Sequence, residues 1–293
     1  MPEAAYNKIG KFEVKRILRS TGSSDIYECF DPDLETLVAL KLFNPKERLL
    51  DALPYDIDNW RIRFLREARI LAKLDHPHVI SVRELSYVED TPYYVMPFME
   101  TSLLYEMGKD PGGDGYAPEL DKVPPAQKIG VLRTVEVMFQ LGSALSAFHG
   151  RKLVHRDIKP GNVLLTRLHS GLVKLCDPGL MKVPESEESL SGYWVGTLEY
   201  LAPEQRRNAA VVDARADIYS LGILGYRMLT AELPSGILSG PKEDVPEVPD
   251  DLNDLMMRMM SRKLKRRPKD ALDFLKELAP IRARLKRNGI KHG

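Results

Sequence analysis

From Phe12 to Asp31 apolar and polar residues alternate around a break at Ser20-Thr21-Gly22-Ser23-Ser24. Period two on both sides of a run of small residues predicts a β-hairpin with a short turn. Val38-Ala39-Leu40-Lys41 reads as a further apolar strand ending in a cation. The period then lengthens. Trp60, Phe64, Glu67, Leu71 and Leu74 recur at helical spacing and predict a helix over Asn59–Leu74, with one carboxylate on its apolar face. An acid turned inward requires a partner, because burying an unpaired charge is costly. His76-Pro77-His78 ends that helix, and Val79–Val88 and Pro92–Pro97 read as two strands completing a small antiparallel sheet. Beyond a Gly- and Pro-rich loop at Asp110–Pro125, Ala126–Gly150 predicts a long helix. Val163–Thr166 and Leu172–Cys176 predict a short hairpin that presents Asp177. A helix apolar nearly all round runs from Asp217 through Leu229, the pattern of a central buried helix. Two amphipathic helices, Asp250–Ser261 and Lys269–Arg287, close the chain.

Strands first and helices afterwards imply an α+β chain, and 293 residues with 43% apolar content are enough for a substantial core. With 43 basic and 42 acidic residues the net charge is +1, so nothing marks nucleic acid or an anionic membrane as a general partner. No charged start followed by an apolar run and no long apolar segment appears, so no signal peptide or membrane span is expected. The two cysteines, Cys29 and Cys176, lack metal-ligand spacing and sit in strand-like runs, which fits reduced thiols in a cytoplasmic protein.

The chemistry concentrates in His155-Arg156-Asp157-Ile158-Lys159-Pro160-Gly161-Asn162. A carboxylate can accept a hydroxyl proton, a lysine can neutralise a migrating phosphoryl group, and an asparagine oxygen can hold Mg²⁺. This segment resembles the catalytic loop of the eukaryotic-type (Hanks-type) serine/threonine protein kinases and matches H-R-D-x-x-x-x-N at every specified position. Lys159, two residues after the aspartate, is the serine/threonine version. Val38-Ala39-Leu40-Lys41 resembles the V-A-I-K strand, and Gly196-Thr197-Leu198-Glu199-Tyr200-Leu201-Ala202-Pro203-Glu204 resembles the G-T-x-x-Y-x-A-P-E end of an activation segment. The likeness spans roughly residues 10 to 280, with the motifs in order.

The resemblance implies a two-lobed kinase fold. A small antiparallel β lobe with one helix would occupy residues 1–96, a hinge 97–101, and a mainly helical lobe 102–293. Such a domain transfers the γ-phosphoryl group of ATP, with Mg²⁺ or Mn²⁺, to Ser or Thr of protein substrates. Carried over residue by residue, Asp157 orients and deprotonates the acceptor, Lys159 and Lys41 neutralise phosphates, Glu67 pairs with Lys41, and Asn162 and Asp177 hold the metal. Thr197 would bridge Asp157 and Lys159, Glu204 would pair with Arg267, and Asp217 would brace the catalytic loop. Ser20, Thr21, Gly22 and Ser23 would cover the phosphates, and Ile26, Ala39 and Leu164 would sandwich adenine. Met96 would guard the back of the pocket, with the backbone of Pro97 through Met99 reading the adenine edge. Ser186, Ser189 and Ser191 are candidate autophosphorylation sites, facing a convergence of Arg63, Arg156 and Lys182.

Two departures from the family pattern stand out. The glycine-rich turn is degenerate, with Arg19, Thr21 and Ser24 where the pattern has glycines. The D-F-G triplet is Asp177-Pro178-Gly179, so a small ring replaces an aromatic in the stack with Leu71 and His155, and it restricts the backbone of Asp177. Both departures keep a second reading open, a pseudokinase that binds nucleotide or acts as a scaffold with weak or no transfer.

Overall fold

A computed structural model describes residues 6–46, 56–109, 123–179, 198–207, 212–234 and 239–290. The alternating stretches become strands β1 (Lys8–Ile9), β2 (Phe12–Ser20), β3 (Ser24–Asp31), β4 (Thr36–Phe43), β5 (Glu84–Val88) and β6 (Thr91–Pro97). They form one antiparallel sheet in the order β1-β2-β3-β4-β6-β5. One face buries Phe12, Tyr27, Cys29, Val38, Leu40, Leu42 and Val95. From the other, Ala39, Phe43, Tyr94 and Met96 join a core with Trp60, Phe64 and Leu71 of helix α1 (Ile57–Lys73). Asp56 caps that helix by accepting from the Asn59 backbone N–H at 2.8 Å, so it begins before the first residue of the apolar stripe.

The strand expected over Val79–Val88 starts only at Glu84. Val79 forms an isolated bridge to Leu175, the Ile80 N–H donates to the Leu175 carbonyl at 2.9 Å, and the Leu175 N–H donates to the His78 carbonyl at 2.9 Å. Both apolar residues are fully buried. Their periodicity is real, but their backbone partners belong to the second lobe, so this run stitches the lobes together. At the other boundary β6 continues through Pro97, which stands opposite Val38. The connection between the two sheets is therefore Phe98–Glu100, within the expected hinge.

The second lobe contains β7 (Thr101–Ser102), α2 (Leu103–Met107), α3 (Val131–His149), β8 (Val163–Arg167), β9 (Ser170–Leu175), α4 (Pro203–Arg207), α5 (Ala214–Thr230), α6 (Asp250–Met259) and α7 (Ala271–Ile290). The long helix starts at Val131 because the Ile129 N–H is already committed to the Met228 carbonyl, which ties the preceding segment to α5. Helix α5 is buried along nearly its whole length and is capped by the Asp213 carboxylate on the Arg215 N–H. A Cβ at Gly225 would stand 2.7 Å from the Met138 sulfur, so glycine lets α3 and α5 approach closely. Arg267 forms two bonds to Glu204, 2.6 Å and 3.1 Å, joining α4 to the segment before α7. Among the described residues no helix is long and apolar enough to cross a membrane.

Candidate active site

Residues directly opposite in antiparallel strands share a face, and Ile26, Lys41 and Tyr94 stand opposite one another across β3, β4 and β6. That face looks onto the crevice between the lobes. Lys41 is 3% exposed, and its Nζ lies 2.8 Å from Glu67 Oε1 and also bonds Asp177 Oδ1 from the second lobe. The Tyr94 hydroxyl donates to the same Glu67 oxygen at 2.6 Å. The carboxylate that interrupts the apolar stripe of α1 thus has both a cation and a hydroxyl as partners. Burial by itself lowers the Lys41 ammonium, but the carboxylates of Asp177 and Glu67 outweigh it and hold it well above the ordinary lysine value. Ala39, one pleat before Lys41 on the same face, is paired with Met96, and both are buried.

Below the crevice the Asp217 carboxylate clamps the catalytic loop. It accepts from the His155 and Arg156 backbone N–H groups, each at 2.8 Å, and its Oδ2 lies 2.9 Å from His149 Nε2. Arg156 holds a left-handed backbone, φ 68°, which a non-glycine residue rarely adopts and which the clamp sustains. Asp157, 8% exposed, follows directly. Asn162 Nδ2 donates to Asp157 Oδ2 at 2.8 Å and to its carbonyl at 2.9 Å, while Lys159 Nζ lies 3.1 Å from the same Oδ2. With both amide protons directed to Asp157, the Asn162 Oδ1 is left as an acceptor, and Arg19 NH1 lies 3.4 Å from it.

Asp177 follows β9 with φ 58°. A residue before proline generally favours extended backbone, and the left-handed conformation of Asp177 departs from that preference. The bond to Lys41 fixes its side chain, and the Gly179 N–H donates to the His155 carbonyl at 2.7 Å. Pro178 itself is buried. Burial raises the Asp177 carboxyl, but Lys41 and then Arg19 pull it well below the usual carboxylate range, so it is an anion throughout ordinary pH. His155 is pushed down by complete burial.

Four contributors were not read from the sequence. Tyr94 supports Glu67, His149 supports Asp217, and Arg19 reaches the catalytic loop. The fourth, Asp25, is buried at the base of the small-residue turn. It accepts from Ser20 Oγ at 2.5 Å, Asn44 Nδ2 at 2.5 Å and Lys46 Nζ at 2.8 Å. The Lys46 and Asn44 N–H groups donate to the Gly22 and Ser23 carbonyls. A polar knot thus holds Ser20, Thr21, Gly22 and Ser23, whereas a glycine-rich turn would rely on backbone freedom. A charged residue inside an otherwise alternating strand was the available signal for Asp25.

Asp177 and Asn162 offer hard oxygen donors, and no group of three or more His, Cys, Asp or Glu among the described residues makes a metal cage. One carboxylate and one amide oxygen suit Mg²⁺, which keeps most of its shell for water and phosphate. Ile26, Leu164, Pro97 and Met99 are half-buried. Arg63 lies over the Trp60 ring at 5.9 Å. Thr197, Ser186, Ser189, Ser191 and Lys182 lie outside the described residues.

A β lobe, a helical lobe and a crevice lined from both define the two-lobed α+β fold of the protein kinases. The family model described as "Protein kinase domain" matches residues 12–291, and this chain belongs to that family. It is 31% identical over 277 residues to the DNA damage-responsive serine/threonine-protein kinase RqkA of Deinococcus radiodurans, covering 88% of this chain and 38% of that protein. It is 30% identical over 298 residues to serine/threonine-protein kinase pkn2 of Myxococcus xanthus, covering 94% and 33%. The chain therefore spans about a third of the length of these relatives. Among solved structures, the Mycobacterium tuberculosis PknI kinase domain superposes with a TM-score of 0.67 at 22% identity, over 96% of this chain and 99% of that one. The apo form of PpkA-294 gives 0.70 at 20%, over 92% and 97%. At these identities the structures speak for the fold alone.

Proposed function

We propose that this chain transfers the γ-phosphoryl group of Mg-ATP to serine or threonine hydroxyls of protein substrates. The observation that carries the reading is Lys41, buried between Glu67 of one lobe and Asp177 of the other. A lysine held by two carboxylates of separate lobes is a preorganised cation between those lobes, which is what phosphates require. Residues 1–96 act as the small lobe, 97–101 as the hinge and 102–293 as the large lobe. Ile26, Ala39 and Leu164 hold adenine, with Met96 behind it and the Pro97–Met99 backbone at its edge.

Asp157 accepts the proton of the attacking hydroxyl, and Lys159, 3.1 Å away, neutralises the group in flight. Asn162 and Asp177 are the ligands for Mg²⁺ or Mn²⁺, which when bound offsets charge on the phosphate oxygens. Thr197 serves the acceptor side, and Ser186, Ser189 and Ser191 are acceptors for the chain's own activity, each phosphate adding negative charge to that segment. Two free cysteines, Cys29 and Cys176, suit a reducing cytoplasm.

The test incubates the chain with labelled ATP and Mg²⁺ or Mn²⁺, alone and with a generic basic protein, beside an Asp157→Asn control. Label on Ser or Thr that vanishes in the control supports the reading. A wild type that binds ATP and transfers nothing supports the pseudokinase alternative, which Pro178 and the knotted turn motivate. Since Asp157, Lys159, Lys41 and Asp177 are all present, Pro178→Phe is expected to change turnover by less than about tenfold, or ~1.4 kcal/mol. Comparing initial rates of the two proteins checks this, and an inert wild type made fast by the substitution would favour the pseudokinase reading.

A further inference from the structure

Strand β2 carries a bulge at Leu18. Ile17 stands opposite Tyr27, yet Arg19 stands opposite Ile26, the adjacent residue of β3. In a regular pairing Ile17 and Arg19 would share a face, since side chains alternate with period two. The extra residue reverses this. Ile17 packs with Tyr27 on the outer face, whereas Arg19 joins the row that continues through Ile26 to Lys41 on the crevice face. From there the guanidinium crosses to the second lobe, with NH1 3.4 Å from Asn162 Oδ1.

A neutral amide oxygen at that distance is a weak partner for a guanidinium. A phosphate that takes the guanidinium in place of this oxygen is a strong one, because its charged oxygens accept two parallel bonds from the guanidinium fork. The turn is the element that supplies phosphate contacts in the reading above, but Ser20, Thr21 and Ser24 are engaged with one another and with Asp25.

We propose that Arg19, aimed inward by the bulge at Leu18, is a phosphate-binding residue of this crevice and pairs with the phosphate chain of bound ATP. This rests on the kinase reading for the identity of the ligand. It goes beyond that reading by assigning a contact to a position where the family pattern has glycine and therefore no side chain.

Binding of adenosine, Mg-ADP and Mg-ATP to the full chain, followed by titration calorimetry, tests the proposal in wild type, Arg19→Gln and Arg19→Lys. Arg19→Gln is expected to weaken Mg-ATP by at least about tenfold, the scale of one lost charge-assisted pair. Adenosine affinity should stay within about twofold, which also shows that the pocket is folded. Arg19→Lys should recover part of the loss, as a point charge without the fork. Mg-ATP binding by Arg19→Gln as tight as wild type, or tighter, overturns the proposal, and so does an equal loss for adenosine. A wild type that binds Mg-ATP without transferring phosphate sinks the kinase reading while leaving the Arg19 comparison readable. A wild type that binds no nucleotide overturns both.

Discussion

Asp157→Asn is expected to lower phosphoryl transfer by on the order of 10³, with nucleotide affinity and thermal stability nearly unchanged. An amide still accepts the 2.8 Å bond from Asn162 Nδ2, so the loop keeps its shape. What the amide lacks is basicity and charge. The hydroxyl proton then has no acceptor, and Lys159 loses the carboxylate 3.1 Å away that positions it. Lys41, Glu67 and Asp177 are untouched, which is why ATP binding survives. Initial rates with saturating ATP and calorimetric ATP binding check the two halves separately. Transfer within a few-fold of wild type would remove Asp157 from the chemistry, whereas loss of the folding transition would make its role structural.

The second large effect belongs to Lys41→Met, which should differ from Asp157→Asn by damaging stability as well as transfer. Methionine leaves Glu67, 1% exposed, with only the Tyr94 hydroxyl at 2.6 Å, and leaves Asp177 without its strongest partner. Removing one member of a buried pair destabilises by about 3–5 kcal/mol, because the remaining charge is uncompensated. Activity should fall by at least about a hundredfold, since the cation at the phosphates is gone. The sign with pH follows from Glu67. Burial already raises its carboxyl, and without Lys41 the folded value lies further above the unfolded one. Such a group supports the fold below its unfolded value and loses that support as pH rises through the folded value, so the deficit of the variant should shrink in acid. Denaturant midpoints across that range measure it. Adding Glu67→Gln should restore stability without restoring transfer, and a double variant as unstable as the single would show that the pair is not the source of the loss.

Much of this site was legible because its residues are close in sequence or obey a period. Asp157, Lys159 and Asn162 share one short loop, and Glu67 betrayed its burial as the only acid on an apolar helical stripe. Glu204 with Arg267 and Asp217 with the loop backbone were expected from the resemblance, and the structure contains both contacts. Other features have no local signature. Val79 and Ile80 have the pattern of a strand in either lobe, and only the competition for backbone partners assigns them to Leu175. The left-handed Asp177 runs against the local preference set by Pro178, because the contacts of its side chain and of Gly179 outweigh a backbone bias worth little by itself.

The sequence alone thus determined the order of strands and helices, the inward acid and the constellation of charges, since periodicity and short spacings are properties of the chain itself. Only the tertiary structure decided which side chains meet across the crevice. Arg19 shows the reason. Its facing depends on one extra residue in a strand pairing, and the choice between the outer face and Asn162 is made by the register of β2 on β3, a relation between segments that no single stretch encodes.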